Sequence, residues 1–487
     1  MPLQPSTDQT AARPLPAIIQ GGMGVSVSHW RLAAAVARAG GLGVVSGTAI
    51  DRVIAYRLQD GDADGRVRAA LSRFPVPGVA ERIIARWFVA GGIARPGAYR
   101  QTAFIDHAPS VESLELLVAA SFAEITLAKD GHDGQVGINL LEKIQTPNLA
   151  VLYGALLAGV DAVLMGAGIP REIPAALDRL AVHAEASLSM RVDGALPGET
   201  ARITFDPGVV MGREPRPALP RPPFLAVISS DTLAQSLMRS TDGRIEGFIV
   251  EGPTAGGHNA PPRNHGERNA RGEPVYGPRD AADLSRLAKM GRPFWLAGGF
   301  GTPDGLARAK ALGAHGIQVG TAFAFSTESG LEPALKAQVL DLARAGKAEV
   351  FTDPLASPTG FPFKVVRVPG TLSDPAIVAT RARICNLGYL RQPYRTPEGG
   401  IGWRCASEPE AAWAAKGGDP AATAGRVCIC NALMASAGHA LTTATGGREL
   451  PIVTAGDDLC RLGDLVPDLR GYAAGTVGGL AAAPVPG

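Results

Sequence analysis

Phe294-Trp-Leu-Ala-Gly-Gly-Phe300, then Thr302-Pro-Asp-Gly-Leu-Ala-Arg-Ala-Lys-Ala-Leu-Gly313, then Gly316-Ile-Gln-Val-Gly-Thr-Ala-Phe323 follow one another with almost nothing between them. Their succession decides the fold. The first run is apolar, strand-like and closes on two glycines. The second reads as a helix, with Thr302 as N-cap, Pro303 at the first helical position and Gly313 as the stop. The third is a short strand that ends in Gly320-Thr321. Two strand–glycine–helix units in tandem, late in a long chain, are where many (β/α)8 barrels hold a phosphate on loop amides.

Working outward from there, Phe248-Ile-Val-Glu-Gly-Pro-Thr-Ala-Gly-Gly-His258 is another apolar run opening into a small-residue loop. It delivers one imidazole, His258, at a strand end, where a group titrating near neutrality can exchange a proton with a ligand. Near the amino end, Pro16-Ala-Ile-Ile-Gln-Gly-Gly-Met-Gly-Val25 reads as a first strand and glycine loop. A helix is expected over 28–38, and Leu42-Gly-Val-Val-Ser-Gly47 as the second strand. Val136-Gly-Ile-Asn-Leu140 places Asn139 near a strand end, with an amide that both donates and accepts.

The ordered set Gln20-Gly-Gly-Met-Gly24, Gly40-Gly-Leu-Gly43, Gly137-Ile-Asn139, Ala255-Gly-Gly-His258, Ala297-Gly-Gly299 and Gln318-Val-Gly-Thr321 resembles the nitronate monooxygenase (2-nitropropane dioxygenase-like) family. That family consists of FMN-dependent TIM barrels and includes flavin enoyl-thioester reductases and a quinone reductase. The resemblance covers roughly residues 14–335, apart from a large insert. It implies an FMN site at Gly22, Met23, Gly24, Asn139, Glu251, Gly256, Gly298, Gly299, Gln318, Gly320 and Thr321, with His258 catalytic. It also implies oxidation of alkyl nitronates with O2, with two alternatives: an NAD(P)H-dependent reductase of enoyl thioesters or quinones, or a flavin-binding subunit without turnover. Two positions depart from the family pattern. Glu251 stands where glutamine is common, and Thr254 where glutamate is common. A carboxylate at 251 would disfavour a negatively charged flavin.

The whole chain of 487 residues has room for one large barrel and an added module. The fold class expected is therefore a (β/α)8 barrel over 14–370, with a helical insertion at about 48–135 after the second strand. An extension over 371–487 carries the cysteines. Helices are expected near 52–59, 65–74, 79–89 and 110–129. This insert could wall the active site or build the interface of a homo-oligomer. The loop 259–277, with Arg263, Arg268 and Arg271 against Glu267 and Glu273, is expected as a lid. The Pro-, Ser- and Thr-rich loop 351–364 is expected to return over the barrel mouth.

Net charge is +2, with 46% hydrophobic and 19% charged residues, and no basic stripe interleaved with aromatics. These features point away from nucleic acid as a partner and toward a small-molecule substrate. No apolar run is long enough to span a bilayer, and residues 1–16 lack a secretory core, so the cytoplasm is the compartment expected. Cys385, Cys405, Cys428 and Cys430 fall close together in the extension and are expected either to bind zinc or to remain free buried thiols.

Overall fold

The computed structural model describes residues 13–264, 266–302, 304–443 and 446–462. Eight parallel strands form the barrel: β1 (Ile18–Gln20), β2 (Gly43–Ser46), β3 (Val136–Leu141), β4 (Ala162–Gly166), β7 (Phe224–Ile228), β8 (Gly247–Glu251), β9 (Phe294–Ala297) and β10 (Gly316–Val319). Their order is β1-β10-β9-β8-β7-β4-β3-β2. The ring closes where Ile19 bridges Leu42, through Gln20 N–H to Leu42 O at 3.0 Å and Leu42 N–H to Ile18 O at 2.9 Å. The expected (β/α)8 barrel is the fold observed.

Side chains alternate across each strand, so parity decides what fills the barrel. Ile19, Val44, Leu164, Leu225, Ile249 and Trp295 point inward and form the inner core. The Trp295 indole N–H donates to Pro16 O at 2.9 Å and closes the amino-terminal end. Alternate residues, such as Phe248, Val250, Phe294 and Leu296, face the surrounding helices. Parity then carries Asn139, Glu251, Ala297 and Gln318 inward at the carboxyl ends. Glu251 pairs in register with Ala297, and Ala297 with Gln318.

Between β2 and β3 lie four helices: α1 (Ile50–Gln59), α2 (Arg66–Leu71), α3 (Val79–Trp87) and α4 (Val111–Lys129). Helix α4 is capped by Ser110, whose hydroxyl accepts from Ser113 N–H at 3.3 Å, a contact worth about 1 kcal/mol. Its buried Glu124 receives Arg57 at 2.6 Å and Trp30 N–H at 2.9 Å. It thereby ties α4 to α1 and to the helix Trp30–Arg38. No described helix is long and apolar enough to cross a membrane.

Three hairpins complete the strands: β5 (Ala186–Met190) with β6 (Ala201–Phe205), β11 (Val350–Asp353) with β12 (Phe363–Val366), and β13 (Gln392–Arg395) with β14 (Ile401–Arg404). Described residues of the segment after β12 pack against the barrel. Leu387, Leu390, Cys428 and Ile429 pack together with Val25, Ala49 and Val53.

Two local expectations change. The helix after β9 is Gly305–Ala311 with Asp304 as its N-cap position. Thr302 donates its hydroxyl to Asp304 Oδ1 at 2.8 Å instead of capping the helix. Pro303 lies outside the described residues. The loop 259–277, expected as a lid, contributes none of its described residues to the wall of the cavity at the strand ends. It docks beside β11, through Arg271 with Glu349 at 2.7 Å and Thr352 N–H donating to Glu273 at 2.9 Å.

Candidate active site

One cavity opens at the carboxyl ends of the strands. Its wall includes Gly22, Met23, Gly24, Asn139, Glu251, Gly256, His258, Gly298, Gly299, Gln318, Gly320 and Thr321. All the positions expected from the motifs, apart from the cysteine set, therefore converge. The reason is local. Six strands, β1, β2, β4, β8, β9 and β10, end in or run directly into glycine, and there the chain turns across the mouth without side chains to fill it.

The glycines divide into two kinds. Gly22 carries no side chain because a Cβ would sit 2.1 Å from Asn139 Cβ. That close approach lets Asn139 Nδ2 donate to Gly22 O at 3.3 Å. A Cβ on Gly256 would meet Ala455 C at 2.8 Å, and one on Gly298 would meet Thr254 Oγ1 at 2.8 Å. Those two glycines permit backbone packing. Gly299 and Gly320 differ, since a Cβ there would find only Thr254 Oγ1 and Met23 Sδ, each at 3.9 Å. They leave open cavity wall with exposed backbone, which suits the approach of a flat, phosphate-bearing group.

Not every motif glycine belongs to the cavity. A Cβ on Gly43 would lie 1.9 Å from Ala33 O, so this position seats a helix against β2. Gln20 is fully buried. It latches the first loop by donating to Ser28 Oγ and Val44 O, both at 2.8 Å.

His258 Nε2 and Ser357 Oγ are hydrogen-bonded at 2.7 Å, and the His258 ring packs edge-on to Phe363 at 4.8 Å. The 351–364 loop thus does return over the mouth, as its composition suggested. Burial, reinforced by the charge of Lys143, lowers the His258 pKa to about 3, so the imidazole is neutral through the physiological range. Burial raises Glu251 to about 7. Near neutrality this carboxyl is ionised only in part. The full negative charge expected from an acid at 251 is therefore muted.

The carboxyl-terminal segment supplies wall that the motifs did not reveal: Tyr389, Cys430, Ser436, Thr454, Ala455 and Asp458, with Thr48 and Ala167 from earlier loops. It is strung across the mouth by hydrogen bonds, Gly257 N–H to Thr454 Oγ1 at 2.7 Å and Asp457 N–H to Thr254 O at 2.9 Å. Lys364, buried, adds an ion pair to Asp457 at 2.6 Å. Thr321 donates its hydroxyl to Asp458 Oδ1 at 2.6 Å, and burial pushes that carboxyl above its usual range. Open backbone at Gly299 and Gly320 lines the same cavity, so the residues present fit a flavin mononucleotide, with Asp458 beside the loop expected to hold phosphate. Little in the sequence marked this segment, because its contacts join positions 93 to 203 residues apart. Ser357 and Lys143 could have been suspected from their places in loops at the mouth.

The cysteine expectation fails for zinc. Among the described residues no group of three or more His, Cys, Asp or Glu side chains could hold a metal ion. Cys385, Cys405, Cys428 and Cys430 are free thiols. Cys428 and Cys430 belong to the apolar cluster with Phe363 and Leu390. Cys385 is held well below the usual thiol range by hydrogen bonds from Cys405 and Cys428, which are pushed up in turn.

Similarity to known proteins agrees with this geometry. A family model described as nitronate monooxygenase matches residues 225–352. No curated protein matches the sequence. Among solved structures, nitroalkane oxidase from Streptomyces ansochromogenes is 17% identical, with 96% of this chain and 95% of that chain covered and a TM-score of 0.47. FabK from Thermotoga maritima is 19% identical, with 73% and 72% covered and a TM-score of 0.40. The family match spans the strand ends that hold His258, Gly298-Gly299 and Gly320-Thr321, and over residues 225–352 the chain is similar to the nitronate monooxygenase family.

Proposed function

We propose that the protein binds FMN in the glycine-walled cavity and oxidises an alkyl nitronate with O2. The observation that carries this reading is the meeting of open backbone at Gly299 and Gly320 with a buried, neutral His258 in one cavity. When bound, FMN supplies the redox chemistry, taking electrons from the substrate and passing them to O2.

This chain's own residues bind and orient. Asn139, Gln318 and the strand-end glycines offer hydrogen-bonding groups along the wall. Ser357 fixes the His258 ring, so one imidazole nitrogen keeps a set direction. A neutral imidazole does not repel a cationic neighbour, and it can hydrogen-bond an anionic substrate or accept a proton from its acidic precursor. An anion bound beside it would raise its pKa, making it a better proton acceptor in the complex than in the free protein. The walls from 389–390 and 452–456 exclude water from the reacting carbon.

The test is spectroscopic. Purified protein should be yellow and release FMN, not FAD, on denaturation. Anaerobic addition of an alkyl nitronate should bleach the flavin absorbance, and admission of O2 should restore it. Bleaching by NADH or NADPH with no response to nitronate would favour a reductase of enoyl thioesters or quinones. Colourless protein that FMN does not reconstitute would end the reading.

A further inference from the structure

The imidazole of His258 forms part of the main cavity wall, and its two nitrogens are not equivalent. Nε2 meets Ser357 Oγ at 2.7 Å, whereas Nδ1 has no hydrogen-bond partner among the described residues. Ser357 leads away from the cavity. It is fully buried, and its hydroxyl lies 2.8 Å from Thr359 Oγ1. Thr359 is only half-buried, and Gly360 beside it is exposed. Neither hydroxyl belongs to the cavity wall. An unbroken line of polar groups therefore runs from the cavity through His258 and Ser357 toward the surface at Thr359.

Backbone pairing holds this line in place. On either side of His258, Asn259 N–H donates to Pro362 O and Lys364 N–H to Gly257 O, both at 2.9 Å. The turn over 357–360 closes through Gly360 N–H to Ser357 O at 3.2 Å. The Ser357 oxygen has two lone pairs and one proton. Thr359 N–H takes one lone pair at 3.3 Å. Two arrangements satisfy what is left. In the first, His258 Nε2–H donates to Ser357, and Ser357 donates to Thr359. In the second, Thr359 donates to Ser357, and Ser357 donates to a bare Nε2. They differ by protons shifted one place along the line.

A proton reaching Nδ1 needs such an outlet. Burial, and after it the charge of Lys143, disfavour the imidazolium. A ring that gains a proton at Nδ1 while losing one from Nε2 stays neutral throughout. We propose that Ser357 and Thr359 form a relay that takes the proton of a neutral nitroalkane, accepted at His258 Nδ1, from Nε2 through both hydroxyls to solvent. The C–H bond of this carbon acid breaks, and its electron pair stays on the substrate as the nitronate. Nδ1–H forms and Nε2–H breaks. Each hydroxyl receives one proton and passes on its own, and water takes the last. The proposal rests on the reading of the cavity as a site of nitronate oxidation, and adds that the anion is made in place. Ser357 and Thr359 act through His258 and touch no substrate.

Thr359→Val keeps the side-chain shape and removes the hydroxyl. Anaerobic flavin bleaching is timed with nitroethane, which must lose a proton, and with ethyl nitronate, which has already lost it. The ratio of the first rate to the second should fall about tenfold in Thr359→Val and recover in Thr359→Ser. An unchanged ratio, including equal slowing of both reactions by a structural effect, would overturn the relay. A second measurement needs neither flavin nor substrate. In protein carrying isotope-labelled histidine, NMR follows exchange of the His258 Nε2 proton with water. Exchange should slow several-fold in Thr359→Val, or in Thr359→Ala if valine disturbs the turn. A resting imidazole protonated at Nδ1, or exchange at the wild-type rate in the variant, would overturn the relay. Wild-type protein bleached by neither compound, yet with Thr359-dependent exchange, would refute the nitronate reading and sustain the relay alone.

Discussion

Thr321 and Asp458 stand 137 positions apart in sequence, yet the threonine hydroxyl donates to the carboxylate at 2.6 Å. The same hydroxyl accepts Gly456 N–H at 3.1 Å. The end of the described chain is thereby fastened onto the loop after β10, where backbone amides face the cavity. A phosphate bound at that loop meets a carboxyl whose ionised form repels it.

Asp458→Asn should therefore tighten FMN binding, by several-fold at pH 8, as read by flavin fluorescence quenching on titration of the apoprotein. The pKa of Asp458 is raised by burial. Repulsion in the wild type accordingly grows as the carboxyl ionises, and the variant lacks that contribution. A loss of affinity in Asp458→Asn would mean instead that the carboxylate holds the loop in its binding form.

Glu251 makes a stability prediction. Its folded pKa, about 7, lies above the reference value of 4.5. Between those values the folded chain keeps a proton that the unfolded chain releases, so stability falls as pH rises through the window. Glu251→Gln cannot ionise. The melting temperature of the wild type should drop more between pH 5 and pH 8 than that of the variant. Parallel pH dependence in the two proteins would place the carboxyl in contact with water.

His258→Ala should retain flavin and lose roughly a hundredfold in turnover, the scale of a positioned acid–base group. Ser357→Ala should cost less, about tenfold, because it releases the ring without removing it. Because burial holds the free His258 near 3, a pH–rate profile in kcat/KM should show no histidine inflection between pH 5 and 8. Near-normal turnover in His258→Ala would leave the imidazole as packing against Phe363.

The barrel was legible because its signals are local. Apolar runs closing on glycine mark β8, β9 and β10 one by one, and strand parity turns Glu251 and Gln318 inward. The same local reading placed 259–277 over the mouth, whereas its described residues are missing from the cavity wall, since sequence adjacency to His258 does not fix what a loop packs on. The true cover comes from 351–364 and 452–458. Their anchors, His258 to Ser357 and Lys364 to Asp457, join residues about a hundred positions apart. Side chains meeting over such spans leave no period or motif. The cysteines misled for a related reason. Their grouping in sequence suggested a ligand set, whereas Cys428 and Cys430 were needed by an apolar cluster that also draws on Val25 and Val53.

Gly320 separates packing from binding most cleanly. Its φ of −106° is open to any residue, and a Cβ there has only Met23 Sδ at 3.9 Å as a neighbour. Gly320→Val should consequently fold with a melting temperature close to wild type in the absence of flavin. Its branched side chain would project over the amides of the Gly320-Thr321 turn and block an approaching phosphate. FMN content after reconstitution should fall to near zero. As a control, Gly43→Val should fail in the opposite way, because the new side chain strikes Ala33 O in the packed layer outside the barrel. That variant should lose stability whether or not FMN is added. Full FMN occupancy in a folded Gly320→Val protein would show that phosphate is held elsewhere, and that the open wall at Gly299 and Gly320 serves another part of the ligand.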